Sequence, residues 1–355
     1  MKNFFKNKKV LITGHTGFQG AWLSYILNKW GAKVVGISLE PPSDPNLFTI
    51  LRCKNKVKHY SVDIRNKNKV LSIFKKEQPE IVFHLAAQAL VRKSYNDRDF
   101  TFSTNVMGTV NILEGVMLCK KTKATVIVTT DKVYENKETG FSFSEDSKLG
   151  GHDPYSASKS AADIITQSYI QKIKQFTNSK NNQLIGIARS GNVIGGGDWG
   201  KDRLIPDLMR SIYQFKIPMI IRNPDSVRPW QHVFEALSGY LKLSKKLYQG
   251  DRHSAGAWNF GPDASSIIKV EKIIKELLLL LKSGSYKIKA DISGRESKLL
   301  RLNNSKSKKF LNWEPTLGIK SALEWTASWY RTYYENSNEI IKLSDNQIKN
   351  FFNNK

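Results

Sequence analysis

Short apolar runs alternate with longer stretches of helical period along the first half of the chain. Val10-Leu11-Ile12-Thr13 is apolar on both faces, which suits a strand buried on both sides. Residues 21–30 repeat apolar positions on one helical face and stop at Gly31, a residue suited to end a helix. Lys33-Val34-Val35-Gly36-Ile37 predicts a second strand and residues 57–62 a third, leading into Asp63-Ile64. A helix over residues 67–77 follows, then a strand at Ile81-Val82-Phe83-His84-Leu85, a helix over 104–119 and a strand over 124–129. Strand–helix alternation of this kind predicts an α/β fold with a parallel sheet and helices on both faces. From about Gly191 the texture changes to loops punctuated by glycine and proline, which predicts a smaller lobe. Residues 336–355 are rich in Asn and Lys and are expected to fray as a polar tail.

The 355 residues suffice for a sizeable core, and 40% apolar with 25% charged residues is ordinary for a globular chain. The formal charge of +25 is not ordinary. Its lysines are spread over almost the whole length rather than gathered in a block, which favours a solvated basic surface and an anionic small substrate over nucleic acid. Cys53 and Cys119 stand far apart, in neither metal-ligand nor redox spacing, as expected of reduced thiols. No apolar run approaches the length that spans a bilayer, and the basic start, residues 1–9, precedes a run too short for a signal peptide. The expectation is a cytoplasmic protein without a membrane partner.

Between the first strand and its helix lies Gly14-His15-Thr16-Gly17-Phe18-Gln19-Gly20. Gly14 suits a tight turn, Gly17 a close approach of backbone to a pyrophosphate, and Gly20 close packing of the helix. The free N–H groups of Phe18, Gln19 and Gly20 at the helix start then face the phosphates, with the Thr16 hydroxyl beside them. An acidic residue two positions after Gly36 would bind ribose hydroxyls, but Ser38 stands there and Glu40 two further on. With no Arg placed for a 2′-phosphate, NAD is expected rather than NADP. Asp63 and Ile64 are expected beside adenine, and Leu85, Ala86, Ala87 and Gln88 supply small residues along the cofactor.

Thr129-Thr130-Asp131-Lys132-Val133-Tyr134 follows an apolar strand, and Tyr155-Ser156-Ala157-Ser158-Lys159 comes soon after. Tyr155 and Lys159 are four apart and share one face of a helix. An ammonium beside the hydroxyl favours the phenolate, so Tyr155 is expected to ionise near neutrality and accept a proton. Asp131 and Lys132 add a second acid/base pair, more than alcohol oxidation needs. His15, His84 and His232 show no metal-ligand spacing, and no metal is expected.

With these residues in view, the chain resembles the extended short-chain dehydrogenase/reductases that act on nucleotide sugars. The glycine triplet, His84 to Gln88, Asn105, the Tyr155/Lys159 pair and Trp313-Glu314-Pro315 fall in that family's order, and the likeness runs from residue 8 to about 335. Within it, three segments resemble the 4,6-dehydratases of the CDP-glucose branch: residues 130–136, 191–199 and 228–233. Lys132 stands where related dehydratases carry Glu.

The resemblance implies a Rossmann-type doubly wound sheet over 1–190 carrying NAD and the catalytic residues. It also implies a sugar-nucleotide lobe over 191–335, with some segments returning to the sheet. By the same likeness Tyr155 accepts the C4 hydroxyl proton as C4 is oxidised, Lys132 removes the C5 proton and Asp131 protonates the departing C6 hydroxyl. Thr130 bonds the C4 oxygen, and Lys159 holds the nicotinamide ribose. Asn105, Thr129 and Gln88 fall among the cofactor contacts, with Gln88 also toward the sugar. Asn192 resembles a diphosphate contact, Arg203, Leu204 and Ile205 a nucleotide-binding loop, and Arg228 a phosphate-pairing arginine. Trp199 and Trp230 are expected to pack, and Arg295 and Glu296 fall near a late contact. A homodimer through the helices of 105–119 and 155–172 is usual in that family. A 4-epimerase would need the Tyr/Lys pair but not Asp131-Lys132, and a non-catalytic NAD-sensing module has only the +25 charge in its favour.

Overall fold

The computed structural model describes residues 1–137, 140–175, 183–289 and 300–353. Its centre is a seven-stranded sheet whose order follows from where the chain reverses. β1 (Lys9–Thr13) is flanked on one side by β2 (Lys33–Ser38) and β3 (Lys58–Ser61). On its other side lie β4 (Ile81–His84), β5 (Ala124–Val128) and β6 (Leu184–Ser190). All neighbouring pairs are parallel, so each strand needs a crossover, and the direction of winding switches between β1 and β4. A crevice opens at the carboxyl ends of the strands at such a point.

The strands are apolar on both faces because both are covered. Along β1, Val10 and Ile12 enter one core with Trp22, Ile26 and Phe83, while Leu11 enters the opposite core with Val70, Phe74 and Ile112. Helices predicted by period appear where expected, Phe18–Lys29 and Lys67–Glu77 among them. The helix expected over 104–119 is regular only over Gly108–Leu118 and is preceded by a wide turn, Ser103–Met107. A side chain at Gly108 would run into Ile64, so the helix lies tight on that residue.

Beyond β6 come β7 (Asn192–Ile194), β8 (Met219–Ile221) and β9 (Val227–His232). β10 (Gly256–Phe260), β11 (Ile267–Lys269) and β12 (Tyr286–Ile288) follow. β10 returns to the main sheet, parallel to β6, and the helix Val233–Tyr248 packs on β5 and β6 with Leu243 and Leu247 against Gly186. β7, β9 and β11 form a small mixed sheet, and β8 pairs β12. β7, β8 and β9 supply residues to a cavity that also takes in the residues following β5 and β6.

The C-terminal segment, expected to fray, is instead a helix, Ile340–Phe352. Ile340, Ile348, Phe351 and Phe352 recur at helical spacing and are buried, Phe352 meeting Trp30 edge to face at 5.0 Å. Its lysines lie on the outer face, while Ser344 and Gln347 are buried and bond the Trp329 indole and the Trp325 carbonyl.

Candidate active site

The glycine turn shows what each glycine is for. Gly14 has φ 73°, and a Cβ there would stand 2.7 Å from the Ala86 nitrogen. A Cβ at Gly20 would stand 2.1 Å from the Gly14 carbonyl oxygen, so the helix rests on the turn itself. Gly17 differs: its φ is −77°, open to any residue, and a Cβ there would meet only the Gly14 oxygen, at 3.4 Å. Nothing in the protein's own packing demands a glycine at 17. Gly17 caps the helix without a side chain over its first N–H groups, and that bare cradle fits an approaching phosphate. Ser38 and Thr16 bond to each other through their hydroxyls at 2.7 Å, and Glu40 is exposed.

The catalytic candidates converge past the end of β5. Thr130 begins the turn Asp131–Val133 by accepting from the Lys132 N–H, and its hydroxyl donates to Asp131 Oδ1 at 3.0 Å. Asp131 is buried and its pKa is raised by desolvation, against the pull of Lys132, Thr130 and Arg228. Tyr155 is carried by the helix Pro154–Gln175, whose start is capped by Asp153 accepting from the Ser156 N–H, with Pro at the first position. Tyr155 and Thr130 line the same cavity, and Thr130 favours the ionised form of the Tyr155 hydroxyl against burial.

The expected lowering of Tyr155 by Lys159 is not what the structure shows. Burial raises the Tyr155 hydroxyl to about 12, the bond to Thr130 and the charge of Arg203 opposing it and Asp131 adding to it. The Lys159 ammonium donates to the Val128 carbonyl at 2.8 Å, and burial pushes its own pKa down to about 8. Spacing placed both residues on one face, but the strand end, not the phenol, holds the amine. The helix is pinned by a buried pair that pattern reading missed, Arg189 with Asp163 at 2.8 Å, where Thr129 also donates to Asp163.

Thr130, Asp131, Lys132 and Tyr155 line a cavity of about 370 Å³ together with Phe18 and Gln19, so the glycine turn opens into the same space. Asn192, Arg203, Leu204, Ile205, Arg228 and Trp230 form its other wall. Arg228 is buried on β9 and acts on Asp131, while Arg203 pairs with Asp198 at 2.9 Å and acts on Tyr155. Trp199 packs among Trp329, Tyr330 and Tyr333. Arg295 and Glu296 lie outside the described residues.

Other expected contact residues have partners inside the protein. Gln88 donates to the Leu90 carbonyl and Thr101 and accepts from the Leu90 N–H, and the cavity wall begins one residue on, at Ala89. Asn105 accepts from the Gln88 N–H and donates to the Gln88 carbonyl and Ser158. Asp63 is held by Arg65 at 2.7 Å, and Ile64 is buried beside Gly108. Leu85 and Ala86 pack at the end of β4, and Ala87 is half-buried. Pattern reading missed Arg92, Asp202 and Arg222, all on the cavity wall, because they come from a short helix, Val91–Asn96, and two separate loops with no shared spacing.

The family model of GDP-mannose 4,6 dehydratase matches residues 11–326. The chain is 41% identical to CDP-glucose 4,6-dehydratase from Salmonella typhimurium, over 96% of this chain and 95% of that protein. It is 28% identical to dTDP-glucose 4,6-dehydratase from Haemophilus influenzae, over 90% and 97%. Among solved structures, dTDP-glucose 4,6-dehydratase from Bacillus anthracis in complex with NAD shares the fold with a TM-score of 0.75 at 22% identity, covering 95% of this chain and 99% of that one. The matched stretch runs from β1 into the helix Ile319–Glu335 and takes in both the glycine turn and the Thr130–Tyr155 cluster. This chain therefore belongs to the GDP-mannose 4,6 dehydratase family.

Proposed function

We propose that this chain is an NAD-dependent hydro-lyase, a nucleotide-sugar 4,6-dehydratase that converts CDP-glucose to CDP-4-keto-6-deoxyglucose and water. The observation that carries it is the buried Asp131 carboxyl, its pKa raised, bonded to Thr130 on the cavity that Tyr155 also lines. A phenol hydroxyl, whose raised pKa must fall before it accepts a proton, and a carboxyl biased toward its protonated form thus share one cavity. The 41% identity to CDP-glucose 4,6-dehydratase supports the base and the sugar.

The Gly14–Gly20 turn and the bare start of the helix Phe18–Lys29 would hold the NAD pyrophosphate, and Lys159 would hold the nicotinamide ribose. Bound NAD supplies oxidation at C4 and later returns the same electrons to C6. The protein's own residues handle the protons. Tyr155 would take the proton of the C4 hydroxyl while Thr130 holds that oxygen, the positive charge of a nicotinamide bound beside it favouring the phenolate that burial alone opposes. Once C4 is a ketone the C5 hydrogen is acidic, and Lys132 Nζ, on the same turn, takes it. Asp131, its carboxyl biased toward the protonated form, gives a proton to the C6 oxygen, which leaves as water; Lys132 returns its proton to C5 as C6 is reduced, and the proton taken by Tyr155 makes good the one Asp131 gave. Arg228 and Asn192 would offer donors to the diphosphate from the neighbouring strands β9 and β7.

We place the enzyme in the cytoplasm as a homodimer. No helix among the described residues is long and apolar enough to cross a membrane. Met107, Leu118 and Ile164, on the two helical segments of the expected interface, are each more than half exposed, an apolar surface that a second copy would cover.

Incubating the protein with NAD and CDP-, dTDP-, GDP- and UDP-glucose, and assaying the 4-keto product in alkali, tests the assignment. Product from CDP-glucose is expected; product only from another sugar nucleotide would move the chain to a different branch. Lys132→Met should abolish solvent exchange at C5, and full retention of exchange would remove Lys132 as the base.

A further inference from the structure

We propose that Asp202 and Arg222 read the nucleobase, selecting an edge that offers an exocyclic amine beside a ring-nitrogen acceptor, as cytosine does. The inference rests on the nucleotide-sugar reading above and adds to it the side chains that choose the base.

Three carboxylates line one wall of the cavity: Asp198, Asp202 and Asp207. Asp198 has Arg203 at 2.9 Å, and Asp207 has Arg210 closer still. Asp202 is held differently. Arg222 lies 3.6 Å from its Oδ1 and Arg92 3.9 Å, both long for charge-assisted hydrogen bonds. The Asp202 and Arg222 side chains are 45% and 36% exposed, so this attraction is weak and easily exchanged for a ligand. A carboxylate and a guanidinium thus stand side by side on the wall, a few tenths of an ångström too far apart to satisfy each other.

Their position suits the far end of the substrate. Both line the cavity, Asp202 two residues before the helix Leu204–Met209 and Arg222 immediately after β8, and both act on Asp207 in the first turn of that helix. With the sugar at Tyr155, a nucleotide extended along the wall brings its base to them.

Cytosine presents an N4 amine that donates, next to N3 and O2, which accept. Asp202 accepts from the first and Arg222 donates to the others. Uracil and thymine present the reverse, a carbonyl at C4 and an N–H at N3. The carboxylate then faces an oxygen and the guanidinium an N–H, and both lose water with no bond in return.

Calorimetric titration of the NAD-loaded protein with CDP and with UDP, alongside turnover of CDP-glucose, tests the pair. The wild type should bind CDP more tightly than UDP. Asp202→Asn, whose amide can donate toward a C4 carbonyl, should shrink the CDP-to-UDP ratio by about ten- to a hundredfold, the size of a lost base-edge pair. Arg222→Gln should weaken CDP more than UDP, and in both variants KM for CDP-glucose should rise while kcat holds. Equal losses for CDP and UDP would make these phosphate or structural contacts and overturn the proposal, as would a ratio untouched by both variants or a wild type without preference. A protein inactive on CDP-glucose that still loses CDP preference in Asp202→Asn would reject the dehydratase assignment and keep the pair. Turnover with an insensitive ratio would reject the pair alone.

Discussion

Asp131 holds the chemistry together, and its cost to the fold is measurable. Burial raises its pKa above the ordinary carboxylate value, so the folded protein binds that proton more tightly than the unfolded chain. The stability it contributes is fully present below the ordinary carboxylate pKa and is lost as pH rises through the raised value. At neutral pH an ionised Asp131 is therefore a net cost. Asp131→Asn should melt at a higher temperature than wild type at neutral pH, the gap closing in acid, while dehydration slows by about 10²- to 10⁴-fold. Equal melting temperatures across the whole pH range would contradict the buried-acid reading. Thr130, Asp131 and Tyr155 were legible as a group because they crowd into a short stretch after an apolar strand. The state of Tyr155 was not, since it depends on what surrounds the ring: spacing put Lys159 on the same helical face, but the Val128 carbonyl took the ammonium. Gln88 and Asn105 show the same limit, because a polar side chain beside a site can be satisfied by its own loop.

At the scale of elements, the strand–turn–helix unit makes a paired prediction. Gly17→Ala fits the backbone, with φ −77° and no close neighbour, so the protein without NAD should melt as wild type does while NAD affinity falls by about tenfold or more. Gly20→Ala drives a methyl into the Gly14 carbonyl and should cost about 1–3 kcal/mol of stability or prevent folding. Thermal melts with and without NAD separate the two, and a Gly17→Ala protein with wild-type NAD response would overturn the cradle. The C-terminal helix carries the other lesson. Composition over residues 336–355 suggested a frayed tail, yet four apolar residues at helical spacing are enough to dock it. Phe352→Ala, removing the contact with Trp30, should lower stability by about 3 kcal/mol in denaturant titration. A loss below a few tenths would show a helix that merely rests on the surface.

At the scale of the whole molecule, a dimer through the helices that follow the Ser103–Met107 turn and carry Tyr155 would cover Met107, Leu118 and Ile164. Ile164→Asp should then sediment as a monomer, and an unchanged dimer would remove this face from the interface. The sequence by itself determined the parallel, doubly wound character of the sheet and the candidates for the reacting groups. Apolar runs on a period of two or 3.6, a glycine turn between strand and helix, and acid, base and hydroxyl within one short stretch are all local information. Tertiary structure decided the rest: that β10 returns beside β6, that Arg203 and Arg228 come from separate elements to one wall, and that Asp202 meets Arg222 there. Those contacts join segments with no common period. What places them is the packing of a lobe over the crevice, which no stretch of chain specifies alone.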